Sequence, residues 1–202
     1  MKLVKMIASG INKNHYTGIN KCLYITIHET GNKNKGADAI AHSNYINGGS
    51  SATWHYTVDD NQVVKHYNHN VQCWHCGDGK GNGNLNSIGI EMCVNSDGDF
   101  NKTIDNTVVL VKCLMKELNI PIDRVVQHNN WSGKNCPMNI RSGKPITWNT
   151  FIDRIKNVDK VVDNVDKLYK VQVGAFKNKT NAINLSKELK KLGYNNFIVE
   201  SK

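Results

Sequence analysis

Between Lys21 and His28 the chain reads Lys-Cys-Leu-Tyr-Ile-Thr-Ile-His, rich in β-branched and aromatic side chains at alternating positions. This pattern predicts a buried strand. His28 stands at its end, ahead of Glu29-Thr30-Gly31, and a strand end opening into a glycine-bearing loop is where α/β sheets carry their sites. Ala37, Ile40, Ala41 and Tyr45 recur at helical spacing, so a helix is expected over 37–46. Residues 52–58 and 62–67 read as two strands of a hairpin, with Asp59-Asp60-Asn61 as its turn. Residues 68–86 are a long glycine-rich loop carrying Trp74 and His75, and such loops inside a domain are usually functional. A further strand is expected over 87–94. Ile104, Val108, Val111, Leu114, Met115 and Leu118 mark an amphipathic helix over 103–118, with Thr103 as its cap and Pro121 beyond its end. Residues 125–127 are a short strand leading to His128, and 148–162 a last helix with Phe151, Ile152, Ile155 and Val158 inward.

Strands alternating with helices place residues 1–156 in the α/β class, as a central mixed β-sheet flanked by helices. Residues 157–167 are charged and repetitive and read as a helical linker. Beyond it, 168–176 reads as a strand, 179–192 as a helix and 196–200 as a strand, so 168–202 is a small β-α-β unit. Such a unit is too small to bury a stable core alone. It is expected to lean on the main domain, to be half of a longer module, or to dimerise.

At 39% hydrophobic residues the 202-residue chain can build a proper core. No apolar run approaches the roughly 20 residues a membrane-spanning helix needs, so no stable membrane insertion is expected. Residues 1–10 carry two lysines and only an interrupted apolar stretch, which is no secretory signal, so synthesis in the cytoplasm is expected. The net charge of +9 predicts attraction to polyanions, the teichoic-acid-rich wall of a Gram-positive cell among them. The lysines are dispersed, so no nucleic-acid partner is expected. Without a secretory signal, the six cysteines read as thiols or metal ligands rather than disulfides. Cys22, Cys93 and Cys113 lie in apolar stretches and read as small core residues. Cys73 and Cys76 form a C-x-x-C, and Cys136 alone has a polar, cation-bearing setting.

That setting is the stretch from Val125 to Pro137, which holds His128, Lys134 and Cys136. An imidazole and a thiol are zinc ligands, but tetrahedral zinc needs a third and a fourth. His28, His55 and His75 lie on or beside strands expected to share a sheet, and periodicity does not choose among them. His15 reads as a surface residue, His42 as part of a solvated helix face, and His66 and His69 are ambiguous. Glu91 interrupts the apolar run Ile-Gly-Ile-Glu-Met-Cys. A carboxylate there either faces water on an edge strand or is aimed into a site, because burial costs several kcal/mol unless it is paired.

Five segments in order resemble the type 2 N-acetylmuramoyl-L-alanine amidases, whose fold is shared with peptidoglycan recognition proteins and many phage endolysins. They are Tyr-Ile-Thr-Ile-His28-Glu-Thr-Gly, Thr53-Trp-His-Tyr-Thr-Val-Asp-Asp60, Trp74-His75, Asn86-Ser-Ile-Gly-Ile-Glu91, and His128 through Cys136-Pro137. The resemblance runs from about Tyr24 to Trp148 and implies a zinc (Zn2+) triad of His28, His128 and Cys136. It also implies Glu91 as acid/base and Lys134 as stabiliser of the oxyanion. The substrate it implies is bacterial peptidoglycan, cut between N-acetylmuramic acid and L-alanine. Three protein ligands leave the fourth position to water. His55, Trp74, His75 and Trp131 are candidate substrate contacts, while core packing is the plain reading of Trp54. Cys73 and Cys76 depart from the small apolar residues usual there, and their thiols are open to oxidation or a stray metal ion. Synthesis without a signal fits an endolysin that reaches the wall after holin-type release. The tail from Leu168 to Tyr194 resembles one β-α-β half of a SPOR domain, which binds glycan strands. The rivals are a binding-only peptidoglycan module, which in this family lacks the cysteine ligand, and a structural zinc protein built on Cys73 and Cys76.

Overall fold

A computed structural model describes residues 2–5, 14–157, 174–191 and 198. Its main sheet has six strands: β1 (Lys2–Lys5), β3 (Tyr24–Glu29), β4 (Tyr56–Val58), β5 (Gln62–Lys65), β7 (Ser87–Met92) and β8 (Val125–Gln127). Their order is β1-β5-β4-β7-β3-β8. Only β4 and β5, the hairpin, pair antiparallel; the other neighbours are parallel, so the sheet is mixed. Two short strands, β2 (His15–Tyr16) and β6 (Gln72–Cys73), form a separate antiparallel pair. Helices α1 (Ala39–Asn47), α2 (Asn82–Asn86), α3 (Phe100–Leu118), α4 (Asn129–Ser132), α5 (Met138–Arg141) and α6 (Trp148–Lys156) flank the sheet, and α7 (Lys179–Lys191) lies in the tail.

The alternation of the central strands decides what each face of the sheet does. Ile25 and Ile27 of β3 stand level with Ile88 and Ile90 of β7. They share a core with Ile104, Val108, Val111 and Leu114 of α3 and with Phe151 and Ile155 of α6. Burying each such side chain stabilises the fold by about 1.5–3 kcal/mol. The period of two then turns Thr26 and His28, with Gly89 and Glu91, to the opposite face. One face is thus committed to stability and the other is free for chemistry.

The elements differ from expectation where local hydrogen bonds override propensity. The strand expected over 52–58 shortens to β4, because the Thr53 amide donates to the Trp74 carbonyl instead of to a neighbouring strand. Helix α3 begins before Thr103: the Asp99 carboxylate accepts from the amides of Asn101 and Lys102 and is the true cap. The loop 68–86 contains β6 and α2. Strand β1, beside β5, carries no clear strand signal in the sequence.

Among the cysteines, Cys93 is buried as expected and Cys22 half-buried, whereas Cys113 is exposed, on the outer side of α3. His42 is buried rather than solvated, its Nδ1 2.7 Å from the Asp38 carbonyl and its ring edge-on to Trp54. The chain divides into two units, Met1–Val158 and Asp159–Lys202. In the second, α7 matches the expected helix, and residues 174–176 are not strand. The helix expected over 148–162 ends at Lys156, where the Asn157 amide caps it by donating to the Asp153 carbonyl. The strands expected over 168–173 and 196–200 and the linker beyond Asn157 fall outside the described residues.

Candidate metal centre and active site

The sheet register assembles the centre. His28 of β3 pairs with Glu91 of β7, and Glu91 with Thr57 of β4. On the other side of β3, the His128 amide donates to the Ile27 carbonyl, placing His128 just beyond the end of β8. His28, Glu91 and His128 therefore come level across three strands, although His28 and His128 lie 100 residues apart.

Cys136 arrives by another route. The carboxylate of Glu29, at the end of β3, accepts from the amides of Asn139 and Ile140 at 3.0 to 3.2 Å, capping α5. Pro137 precedes that helix with no capping side chain of its own. The Glu29 amide also points at the Cys136 sulfur, 3.4 Å away. Glu29 thus ties the thiol's segment to the strand that ends in His28.

The donor atoms are close. Nδ1 of His28 lies 2.9 Å from Nδ1 of His128 and 4.0 Å from the Cys136 sulfur. All three residues are buried, and they form one of two groups among the described residues that could hold a metal ion. The Cys76 carbonyl, 2.9 Å from Nε2 of His128, can only accept. Nε2 therefore carries the proton, and Nδ1 presents a lone pair. Burial holds His28 well below the ordinary imidazole range, with His75, His128 and Lys134 adding to the effect. It lowers His128 too, ahead of Lys134. Both rings are neutral donors. Burial, then Glu91, pushes the Cys136 thiol up to about 12 in the absence of a cation.

Glu91 sits 3.8 Å from Nδ1 of His28 through Oε1, with 15% of its side chain exposed. Its Oε2 is buried with no hydrogen-bond partner. Burial drives the carboxyl up to about 8, Lys134 pulls it down and Glu29 pushes it up. An orphaned buried carboxylate oxygen beside two imidazoles and a thiol fits a site built for a cation and a polar ligand. Lys134 is exposed, two residues before Cys136, and near enough for its charge to act on Glu91, His28 and His128.

His75 comes to the same place from the loop after β6. Its Nδ1 is 2.9 Å from Nε2 of His28 and 3.1 Å from the Cys76 sulfur. A β-carbon at Gly89 would lie 2.8 Å from this ring, so only glycine there admits His75 against β7. His55 is fully buried; its Nδ1 accepts from the Gly89 amide and its Nε2 faces the Val71 carbonyl, which leaves no ring atom for a ligand. Trp131 donates its indole N–H to Thr26 and stands edge-on to Tyr24, fastening α4 to the sheet. Trp74 is 38% exposed and tilted against Tyr16. Trp54 belongs to a small core with Ile46 and Tyr67. The sequence reading overlooked Glu29 and the Cys76 carbonyl. A helix start at Pro137 with no acceptor of its own is the one sign that an outside carboxylate was needed.

Residues 19–139 match the family described as N-acetylmuramoyl-L-alanine amidase, and residues 145–201 match the SPOR domain. The chain is 44% identical over 156 residues to the N-acetylmuramoyl-L-alanine amidase CwlH of Bacillus subtilis, covering 76% of this chain and 61% of that protein. It is 48% identical over 130 residues to XlyA of the same organism, covering 64% of this chain and 42% of that one. It therefore spans less than two thirds of either relative's length. Among solved structures, the catalytic domain of XlyA matches with a TM-score of 0.71 at 41% identity, over 77% of this chain and 99% of that one. PlyL matches with a TM-score of 0.69 at 33% identity, over 77% and 97%. The matched region takes up more than half of the chain and nearly all of a solved relative at that identity, and on that basis the chain belongs to the N-acetylmuramoyl-L-alanine amidase family.

Proposed function

We propose that this chain hydrolyses the amide bond between N-acetylmuramic acid and L-alanine in bacterial peptidoglycan, in a zinc-dependent reaction, as a phage or prophage endolysin. The observation that carries the reading is the meeting of His28, His128 and Cys136 beside a buried carboxylate oxygen without a partner. The names of the relatives support the bond that is cut.

His28 and His128, each through Nδ1, and Cys136, as thiolate, would hold the ion. Zinc, when bound, supplies a Lewis acid that brings the pKa of water to about 7. Glu91 takes the proton of the attacking water. Its burial makes it a stronger base than an exposed carboxylate. The same carboxyl returns that proton to the alanine nitrogen as the C–N bond breaks, so the amine leaves neutral. Lys134 places its cation where the carbonyl oxygen gains charge. Trp74, exposed and tilted against the half-buried Tyr16, offers aromatic surface for a sugar face. His75 steadies His28 from behind. The tail, matched to the SPOR domain, keeps the enzyme on glycan strands. The place of action is the wall, reached through a holin-type membrane lesion.

Digestion of purified peptidoglycan tests this reading. New N-terminal alanine should appear without new reducing sugar. Reducing sugar without alanine overturns it, as does wall binding with release of neither.

A further inference from the structure

The two ring nitrogens of His28 face two different three-residue groups. Nδ1 faces His128 and Cys136, and Nε2 faces Nδ1 of His75, which itself lies 3.1 Å from the Cys76 sulfur. The second group passes the same test as the first: one nitrogen from each imidazole and the Cys76 sulfur lie within 4.8 Å of one another, and all three residues are buried. Cys73, the other half of the C-x-x-C, is not part of it, since its sulfur turns to His55 at 3.8 Å. A thiol and two imidazoles make a soft donor set, suited to cadmium or zinc and poor for magnesium or calcium.

We propose that His75, Cys76 and the Nε2 edge of His28 form a second, inhibitory site for a thiophilic divalent cation, bridged to the first site by the His28 ring. This rests on the zinc reading above only for its inhibitory consequence; the donor set stands by itself.

The charges balance. Entry of the second ion forms bonds to the Cys76 sulfur, to Nδ1 of His75 and to Nε2 of His28. Two protons leave to solvent, one from the Cys76 thiol and one from Nε2 of His28. A dication in exchange for two protons adds no net charge to the buried cluster, so the usual cost of collecting charge in a low dielectric does not arise. As a bridging imidazolate, His28 donates more charge to the first ion than the neutral ring does, and hydrolysis slows. The Cys76 side chain is then a control point that the reaction itself does not use, while its backbone carbonyl goes on fixing the tautomer of His128.

Cadmium binding to the full chain tests this, by metal analysis after desalting and by cadmium NMR. Cys113→Ser serves as the reference for the exposed thiol. Wild type should take up two cadmium ions at buried sites and give two resonances. Cys76→Ser and Cys76→Ala should each lose one of them and keep the other, with unchanged hydrolysis at stoichiometric zinc. Excess zinc should slow the wild type severalfold and leave both Cys76 variants unaffected. Cys136→Ser should lose the other resonance and the activity while keeping the Cys76 one. Cys76 variants that bind as much cadmium as wild type, or are inhibited equally by excess zinc, overturn the second site. Full hydrolysis by Cys136→Ser overturns the zinc reading instead.

Discussion

His28 and Glu91 stand opposite each other on neighbouring parallel strands, with Nδ1 of the one 3.8 Å from Oε1 of the other. The parallel register delivers an imidazole and a carboxylate level with each other, and no loop has to bring them together. Glu91→Gln keeps the shape and removes the base. Hydrolysis of peptidoglycan should fall by a factor of about a hundred to ten thousand. Zinc content, read by metal analysis, should stay at the wild-type level.

The same carboxyl makes a prediction about the metal-free protein. Its folded pKa, about 8, lies above the ordinary 4.5, so between those values the folded state binds more protons than the unfolded one. The stability it contributes is complete below pH 4.5 and is lost as pH rises through 8, at up to about 1.4 kcal/mol per pH unit. Chemical denaturation of metal-free protein should find Glu91→Gln more stable than wild type at pH 8, with the gap closing toward pH 5.

Buried histidines act at the other end of the scale. Burial lowers both His55 and His66 to about 3. Each is neutral when folded and protonated when unfolded between about pH 6.5 and 3. Their contribution is present above pH 6.5 and lost as pH falls, again at up to about 1.4 kcal/mol per pH unit for each ring. Denaturation midpoints should drop steeply below pH 6. His66→Gln, which can keep a bond to Thr57, should make that slope shallower.

The layout of the main domain was legible because its signals are local. Isoleucine alternation marks β3 and β7, and the apolar stripe of α3 marks the helix that covers them. The ligand types were legible too, but their convergence was not. Which of His28, His55 and His75 faces His128 depends on strand register, and spacing along one chain does not encode register. His42 was misread because its helix lies on the side where the buried Trp54 waits, and a nine-residue helix does not announce which side that is. Glu29 was overlooked because its partners, Asn139 and Ile140, lie 110 and 111 residues away.

That anchor gives a prediction of its own. Glu29→Ala removes the acceptor for the Asn139 and Ile140 amides and loosens the segment that carries Cys136. Stability should fall by about 0.5–2 kcal/mol, as for loss of a helix cap. Zinc affinity, measured by competition with a chromophoric chelator, should weaken by about 10–100-fold. Saturating zinc should restore most of the hydrolysis, since no group that touches substrate has changed.

Whether the amide bond is cut only with an ion on His28, His128 and Cys136 is answered by removing the metal. Protein stripped with a chelator and desalted should release no N-terminal alanine from purified wall. One equivalent of zinc per chain should restore the full rate, and Cys136→Ser should not respond to it. Release of alanine at the full rate by protein shown to be free of metal would mean that hydrolysis needs no ion at these three residues.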